Sequence, residues 1–153
     1  MSTTATNTNY IYKIAPAKPA IPVDSDTKLP AGWNLPVSDL DRTSGFMHLS
    51  TVAQVPGTLK YFFISTAENR DSIYLLKVPL DPLQKRGMIR WESPDARECG
   101  KRDDEGMFPH IYDEGKFRMG RDEVESVVEV VSDEGVDGWE AALEKLTSCG
   151  WFV

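Results

Sequence analysis

The run Ile73-Tyr74-Leu75-Leu76-Lys77-Val78 constrains this chain most. It is nearly continuous in apolar residues, of strand length, and bracketed by a charged turn over Glu68–Asp71 and a turn at Asp81-Pro82-Leu83. A strand with almost no polar face has to be buried. Four further segments carry strand patterning. Tyr10-Ile11-Tyr12-Lys13-Ile14 alternates, with Tyr12 and Ile14 on one face and Ile11 and Lys13 on the other. Met88-Ile89-Arg90-Trp91-Glu92 splits into Met88, Arg90 and Glu92 against Ile89 and Trp91. Val124–Val131 is dense in valine, and Phe108-Pro109-His110-Ile111-Tyr112 is hydrophobic but broken by proline, which predicts an edge or irregular strand.

Helical spacing occurs twice. Val52, Val55, Leu59, Phe62 and Phe63 recur at three- and four-residue steps around Pro56, predicting a short turn followed by a helix from about Pro56, or a kinked helix with Phe62 and Phe63 in the core. Trp139, Ala142, Leu143 and Leu146 share a face of a C-terminal helix over Gly138–Cys149, after a break at Gly135–Gly138 and before the capping Gly150. Between the first strand and residue 40 lie Pro16, Pro19, Pro22, Pro30 and Pro36, too many for a regular element. That stretch is expected to be a surface loop anchored by Trp33, followed by a polar turn over Ser38–Arg42. Ser93–Gly106, heavily charged and aperiodic, is expected to be a solvated loop. Pro82 is expected at a first helical position. The sum is an α+β domain: one mixed or split sheet of about five to six strands with one or two packed helices.

The 153 residues suit one domain with a real core, 10–153, behind a polar Thr/Asn-rich tail over 1–9 expected to be disordered. A net charge of −7 argues against non-specific nucleic-acid or anionic-membrane binding, while leaving room for a local basic site for one phosphate group. Apolar runs fall short of a membrane span, and the start of the chain lacks a signal-peptide pattern. Cys99 and Cys149 show no CxxC spacing and are expected to be free thiols, which together with the missing signal predicts a cytoplasmic protein. No heptad repeat or other feature demands a partner protein.

Chemistry concentrates in few places. Gly45-Phe46-Met47-His48-Leu49-Ser50-Thr51 is expected to be a strand over 44–50 entering a helix start, with Phe46, His48 and Ser50 on one face and Met47 and Leu49 on the other. A histidine and a hydroxyl there suit acid–base work or anion binding; the plainer alternatives are a histidine donating to a carbonyl, with Ser50 or Thr51 capping the helix. The only other histidine is His110, and Glu92 ends a strand after a tryptophan. Two imidazoles and a carboxylate are the ingredients of a general acid–base site and equally of a two-His-one-carboxylate metal site. Separations of 44 and 18 residues leave both open, as they leave Glu92 free to pair with an arginine and His110 to cap a turn. P-loop, dinucleotide-fold and nucleophile-elbow signatures are missing.

Taken in order, Tyr10–Ile14, Gly45–Thr51 with Gln54, Trp91-Glu92 and Phe108–Tyr112 resemble the DUF952 family, whose pattern is an IYxI-type strand, GFIHLSTxxQ, WE and FPHLY. The resemblance spans about Tyr10 to Val131. The Pro-rich segment and the C-terminal helix lie outside the family core, and Lys13 stands where relatives often carry histidine or another polar residue. The family is distantly grouped with the ADP-ribosyltransferase-like fold, a split sheet that grips NAD. The resemblance therefore implies a cleft in which His48, Ser50 and Glu92 hold a ribose and assist cleavage at its anomeric carbon. His48, Glu92 and His110 are then the expected catalytic residues. Tyr12, Lys13, Ser50, Thr51, Gln54, Trp91 and Tyr112 are the expected substrate-binding set, with NAD the implied ligand and no metal. Acid–base chemistry on an unrelated metabolite, a ligand-binding or regulatory module without turnover, and a metal-dependent enzyme are the other readings.

Overall fold

The structure is a computed structural model that describes residues 8–62, 72–132 and 138–153. In chain order the elements are β1 (Tyr10–Pro16), α1 (Asp39–Ser44), β2 (Met47–His48), α2 (Val55–Phe62), β3 (Ser72–Pro79), α3 (Leu80–Lys85), β4 (Ile89–Glu92), β5 (Phe108–Ile111), β6 (Ser126–Val131) and α4 (Gly138–Ser148). The architecture is α+β, with the strands divided between two three-stranded sheets, β1-β3-β6 and β2-β5-β4. Every pairing is antiparallel, so the sheet is split rather than mixed, and the described residues hold four helices rather than one or two.

β3 is the middle strand of its sheet and is covered on both faces, which is why its sequence is apolar throughout. On one face Ile73 and Leu75 join Tyr12, Val55, Leu59, Val130, Trp139, Leu143 and Phe152. On the other, Tyr74, Leu76 and Val78 join Ile11, Ala15, Met47, Leu49, Ile89, Trp91 and Ile111. Helices α2 and α4 thus cover one side and the small sheet the other. Lys77 is buried among apolar neighbours by donating to the Trp151 carbonyl at 2.8 Å, over the Tyr10 ring.

Isolated backbone contacts join the two sheets. Tyr12 N–H donates to the Ser50 carbonyl at 2.7 Å and Ser50 N–H to the Tyr12 carbonyl at 2.9 Å. β1 therefore pairs with β3 along one edge and takes the continuation of β2 on the other.

Several expectations need correction. The strand expected over 44–50 is shorter, because Ser44 ends α1. Ser38 accepts from Asp41 N–H at the start of that helix, and Gly45, at φ +83°, closes it. At six residues α1 is too short to show apolar periodicity, and the segment reads as a polar turn. Phe108–Ile111 is the middle strand of its sheet rather than an edge. Pro109 is tolerated because the edge where its N–H would donate faces the end of the two-residue β2; there its carbonyl still accepts from Leu49 N–H at 3.3 Å. Pro82 sits inside α3, not at its first position. The Pro-rich segment is no surface drape: Ile21 and Leu29 are buried in the core while Trp33 is only half-buried. Its backbone runs so close to Gly120 that a Cβ there would stand 2.7 Å from the Trp33 carbonyl. Asn9 accepts from Leu80 N–H at 3.0 Å, so the chain is already held at that point of the expected tail. Residues 1–7, the Phe62 and Phe63 side chains, the turn at Glu68–Asp71 and the break before α4 lie outside what the structure describes.

Leu29 tests whether the loop belongs to the core. Leu29→Ala removes a fully buried side chain and is expected to cost about 2–5 kcal/mol in urea unfolding; a loss near zero would make the segment peripheral.

Candidate active site

The small sheet separates its residues by face. Met47, Leu49, Ile89, Trp91 and Ile111 point into the core. The alternate positions Phe46, His48, Arg90, Glu92, Phe108, His110 and Tyr112 share the other face, and His48 stands directly opposite His110. The expected division of Phe46 and His48 from Met47 and Leu49 therefore holds, and it brings both histidines together. Their ring centroids are 5.0 Å apart, and Phe46 packs against both, at 4.6 Å from His48 and 4.4 Å from His110.

Each imidazole is backed by a carboxylate. His48 Nδ1 lies 2.7 Å from Asp41 Oδ1, and His110 Nδ1 lies 3.0 Å from Glu92 Oε1. An ionised carboxylate only accepts, so each Nδ1 carries the proton and each Nε2 is left as the nitrogen able to meet a ligand. The backing groups differ. Asp41 comes from α1, also accepts from His48 N–H at 3.2 Å, and is neutralised by Lys13 Nζ at 2.5 Å. The Lys13 ammonium, reaching in from β1, further donates to the His48 carbonyl at 3.1 Å. Glu92 Oε1 also accepts from the Tyr112 hydroxyl at 2.6 Å, with Cys99 Sγ 3.7 Å from Oε2. The arginine partner considered for Glu92 is not seen among the described residues; Arg90, on the same face, lies over the Tyr112 ring at 4.3 Å.

Burial sets the proton affinities. It pulls His110, 1% exposed, below the ordinary histidine value, aided by neighbouring His48 and opposed by the Glu92 hydrogen bond. Burial likewise draws Lys13 below the usual lysine range against the pull of Asp41. For Asp41 burial acts upward, but the His48 hydrogen bond and Lys13 together hold it below the ordinary carboxylate value. Tyr112 is pushed up to about 12, by burial and then by Glu92.

Lys13, Asp41, Phe46, His48, Ser50, His110 and Tyr112 border a cavity of about 1200 Å³. Ser50 Oγ lies 3.1 Å from Thr58 Oγ1, whose own proton goes to the Gln54 carbonyl, so Ser50 donates and caps nothing. Tyr12 contributes to the wall, but its ring is buried in the second core with the hydroxyl bonded to Val153. The other expected residues stand elsewhere. Glu92, 3% exposed, acts from behind His110. Gln54 is a strap: its carbonyl oxygen accepts from Thr51 N–H at 3.0 Å, as in a capping box, and its amide donates to the Met107 carbonyl at 2.7 Å. Trp91 is core, donating to Gln84. Asp41 was missed in the sequence. Its signal was available in Ser38, two early acidic residues and Gly45, a complete set of helix-terminal residues just upstream of His48. Among the described residues no group of three His, Cys, Asp or Glu is placed to hold a metal ion, since Glu92 is spent on His110 Nδ1.

A small α+β domain with two carboxylate-backed histidines on one sheet face is the class this geometry defines. The chain matches the family described as "Protein of unknown function (DUF952)" over residues 24–127, and it belongs to that family. No curated protein matches it. Among solved structures it is similar to protein CC0527 from Caulobacter crescentus. The crystal structure of that protein is 25% identical with a TM-score of 0.55, over 88% of this chain and 98% of that one. Its solution NMR structure gives 25% identity and the same TM-score over 84% and 89%.

Two predictions follow from the buried charges. Lys13→Met strands Asp41 as a buried anion and is expected to cost about 3–5 kcal/mol in denaturant unfolding, with Asp41→Asn in the same chain recovering more than half. A single-variant loss under about 1 kcal/mol would show the pair to be effectively solvated. Because His110 binds its proton less readily folded than unfolded, its contribution to stability is complete above the unfolded value of about 6.5. That contribution falls as pH drops from there through the depressed folded value. The Tm of wild type should therefore fall faster than that of His110→Gln as pH drops from neutral toward 5; parallel curves would contradict it.

Proposed function

We propose that the protein is a small-molecule enzyme in which His110 and His48 act as a paired proton acceptor and donor. The observation carrying this reading is that two imidazoles, each fixed by a carboxylate on Nδ1, meet at one cavity with centroids 5.0 Å apart. His110, kept neutral by burial, is the base: it takes a proton on Nε2 while Glu92 stabilises the imidazolium through Nδ1–H. His48, whose side chain is 23% exposed, exchanges with solvent and returns a proton, its ring held by Asp41 and Lys13. Repulsion between the rings disfavours protonating both together, which suits one acid and one base.

The NAD version of this reading, and with it the ADP-ribosyltransferase-like grouping, meets a poor fit in these residues. A dinucleotide brings a pyrophosphate, yet the one cationic side chain among the described cavity residues is Lys13, committed to Asp41 and the His48 carbonyl. Glu92, the expected partner of a ribose hydroxyl, does not border the cavity.

Incubating wild type and variants with a cell-extract metabolite pool in heavy water, read by mass spectrometry, tests the proposal without a known substrate. Wild type should consume or deuterate at least one component. His110→Gln and His48→Gln should slow that by about 10²–10⁴-fold while keeping the fold. Identical profiles for wild type and both variants would leave a binding module without turnover.

A further inference from the structure

The cavity is lined by polar and apolar residues together. His48, His110 and Tyr112, joined by their ring contacts with Phe46, are its polar group; Ile14, Pro16, Ile21, Leu35, Val37 and Leu40 are apolar lining. Leu40 stands 58% exposed at α1, an apolar side chain with no core role. The Pro-rich segment, short of regular structure, supplies much of this wall.

The hydrogen-bonding sense of the polar group is one-sided. With each Nδ1–H donated to a carboxylate, and before His48 takes from solvent the proton it later returns, both imidazoles offer a ligand a lone pair on Nε2, and lone pairs accept. A ligand's head must therefore donate. Charge points the same way. Lys13 and Asp41 neutralise one another. Glu92 accepts only from His110, Tyr112 and Cys99, and among the described residues no lysine or arginine pairs with it. The other charged side chains bordering the cavity, Asp39 and Asp95, each sit beside an arginine, Arg42 at 3.8 Å and Arg97 at 3.5 Å, and bring no excess positive charge. A buried carboxylate that pairs with no cation, two imidazole nitrogens able to accept and the Phe46 ring form an environment for a positive head group, while the Tyr112 ring already carries the Arg90 guanidinium at 4.3 Å.

We infer that this cavity takes an amine, with an ammonium head between His48 and His110 and an apolar body along the wall made by the Pro-rich segment. The inference rests on the proposal above for the tautomers of the two rings, and it names the substrate class of that site. A carboxylate or phosphate head would face lone pairs and the Glu92 charge; an alcohol would keep the hydrogen bonds and lose the charge attraction.

Isothermal titration of the wild-type protein with hexylamine, hexanol and hexanoate at neutral pH separates these heads on one body. Hexylamine should bind at least about tenfold more tightly than hexanol, and hexanoate should show no heat of binding. Glu92→Gln, with its fold checked by circular dichroism, should erase the difference between amine and alcohol. Hexanoate binding as tightly as hexylamine, or hexanol matching it, overturns the inference, and both comparisons need only the wild-type chain. Amine binding by a protein that changes no metabolite keeps this inference and removes the acid–base reading; metabolite turnover without amine preference does the reverse.

Discussion

The reciprocal backbone hydrogen bonds between Tyr12 and Ser50 hold this molecule together as a functional object. Among the described strands β1 is the one whose backbone hydrogen bonds reach both sheets, and its consecutive residues have opposite duties. Tyr12 sends its ring to the second core and its hydroxyl to the last residue of the chain. Lys13, facing the other way, arrives beneath β2 where the Asp41 carboxylate and the His48 carbonyl receive it. A one-residue slip in this contact would exchange those faces, placing an ammonium in the apolar core and a phenol in the site. The contact is short, but burial on both sides fixes its register.

From that register the rest of the site follows by alternation. A three-stranded sheet packed on one face only needs apolar residues at alternate positions, and the remaining positions are free for chemistry. β2, β4 and β5 use them for His48, Glu92 and His110, and the pairing of His48 with His110 fixes the approach of the two rings. The two imidazole–carboxylate pairs are not equivalent. Lys13 cancels the charge behind His48, whereas Glu92 stands behind His110 with neutral donors alone. One ring is thus supported by a neutral assembly near solvent and the other by a buried carboxylate, an asymmetry that makes the two histidines electrostatically unlike.

What the sequence made legible was governed by local periodicity. β1, β4 and α4 carry alternating or helical patterns over enough residues to specify both element and face, β3 carries a continuous apolar run that specifies a buried strand, and the two histidines and Glu92 stood out by their rarity and setting. Three things were hidden for different reasons. α1 is too short for periodicity, so Asp41 was overlooked although helix-terminal residues flank it. The central position of β5 was masked by Pro109, whose missing N–H matters only along the neighbour, and that neighbour is two residues long. The role of the Pro-rich segment depends on Ile21 and Leu29 reaching a core built from distant strands, which no local pattern encodes. Thr51, Gln54 and Trp91 were expected to bind substrate because they belong to the family motifs; Gln54 bonds to Thr51 N–H and the Met107 carbonyl, and Trp91 packs in the core against Gln84.

The Lys13–Asp41 pair bears on why this arrangement persists. Burying two charges costs more than burying two apolar side chains of similar volume, and their attraction at best roughly offsets that cost. On stability alone an apolar pair would serve at least as well at this position. What the ion pair supplies is a carboxylate held below its ordinary pKa and turned toward His48, since one oxygen is held by an ammonium and the other by two donors of the same histidine. A carboxylate restrained on that scale holds the His48 ring in a single tautomer and orientation. The fold therefore accepts a polar inclusion in its core at the point where it fixes the orientation of a histidine.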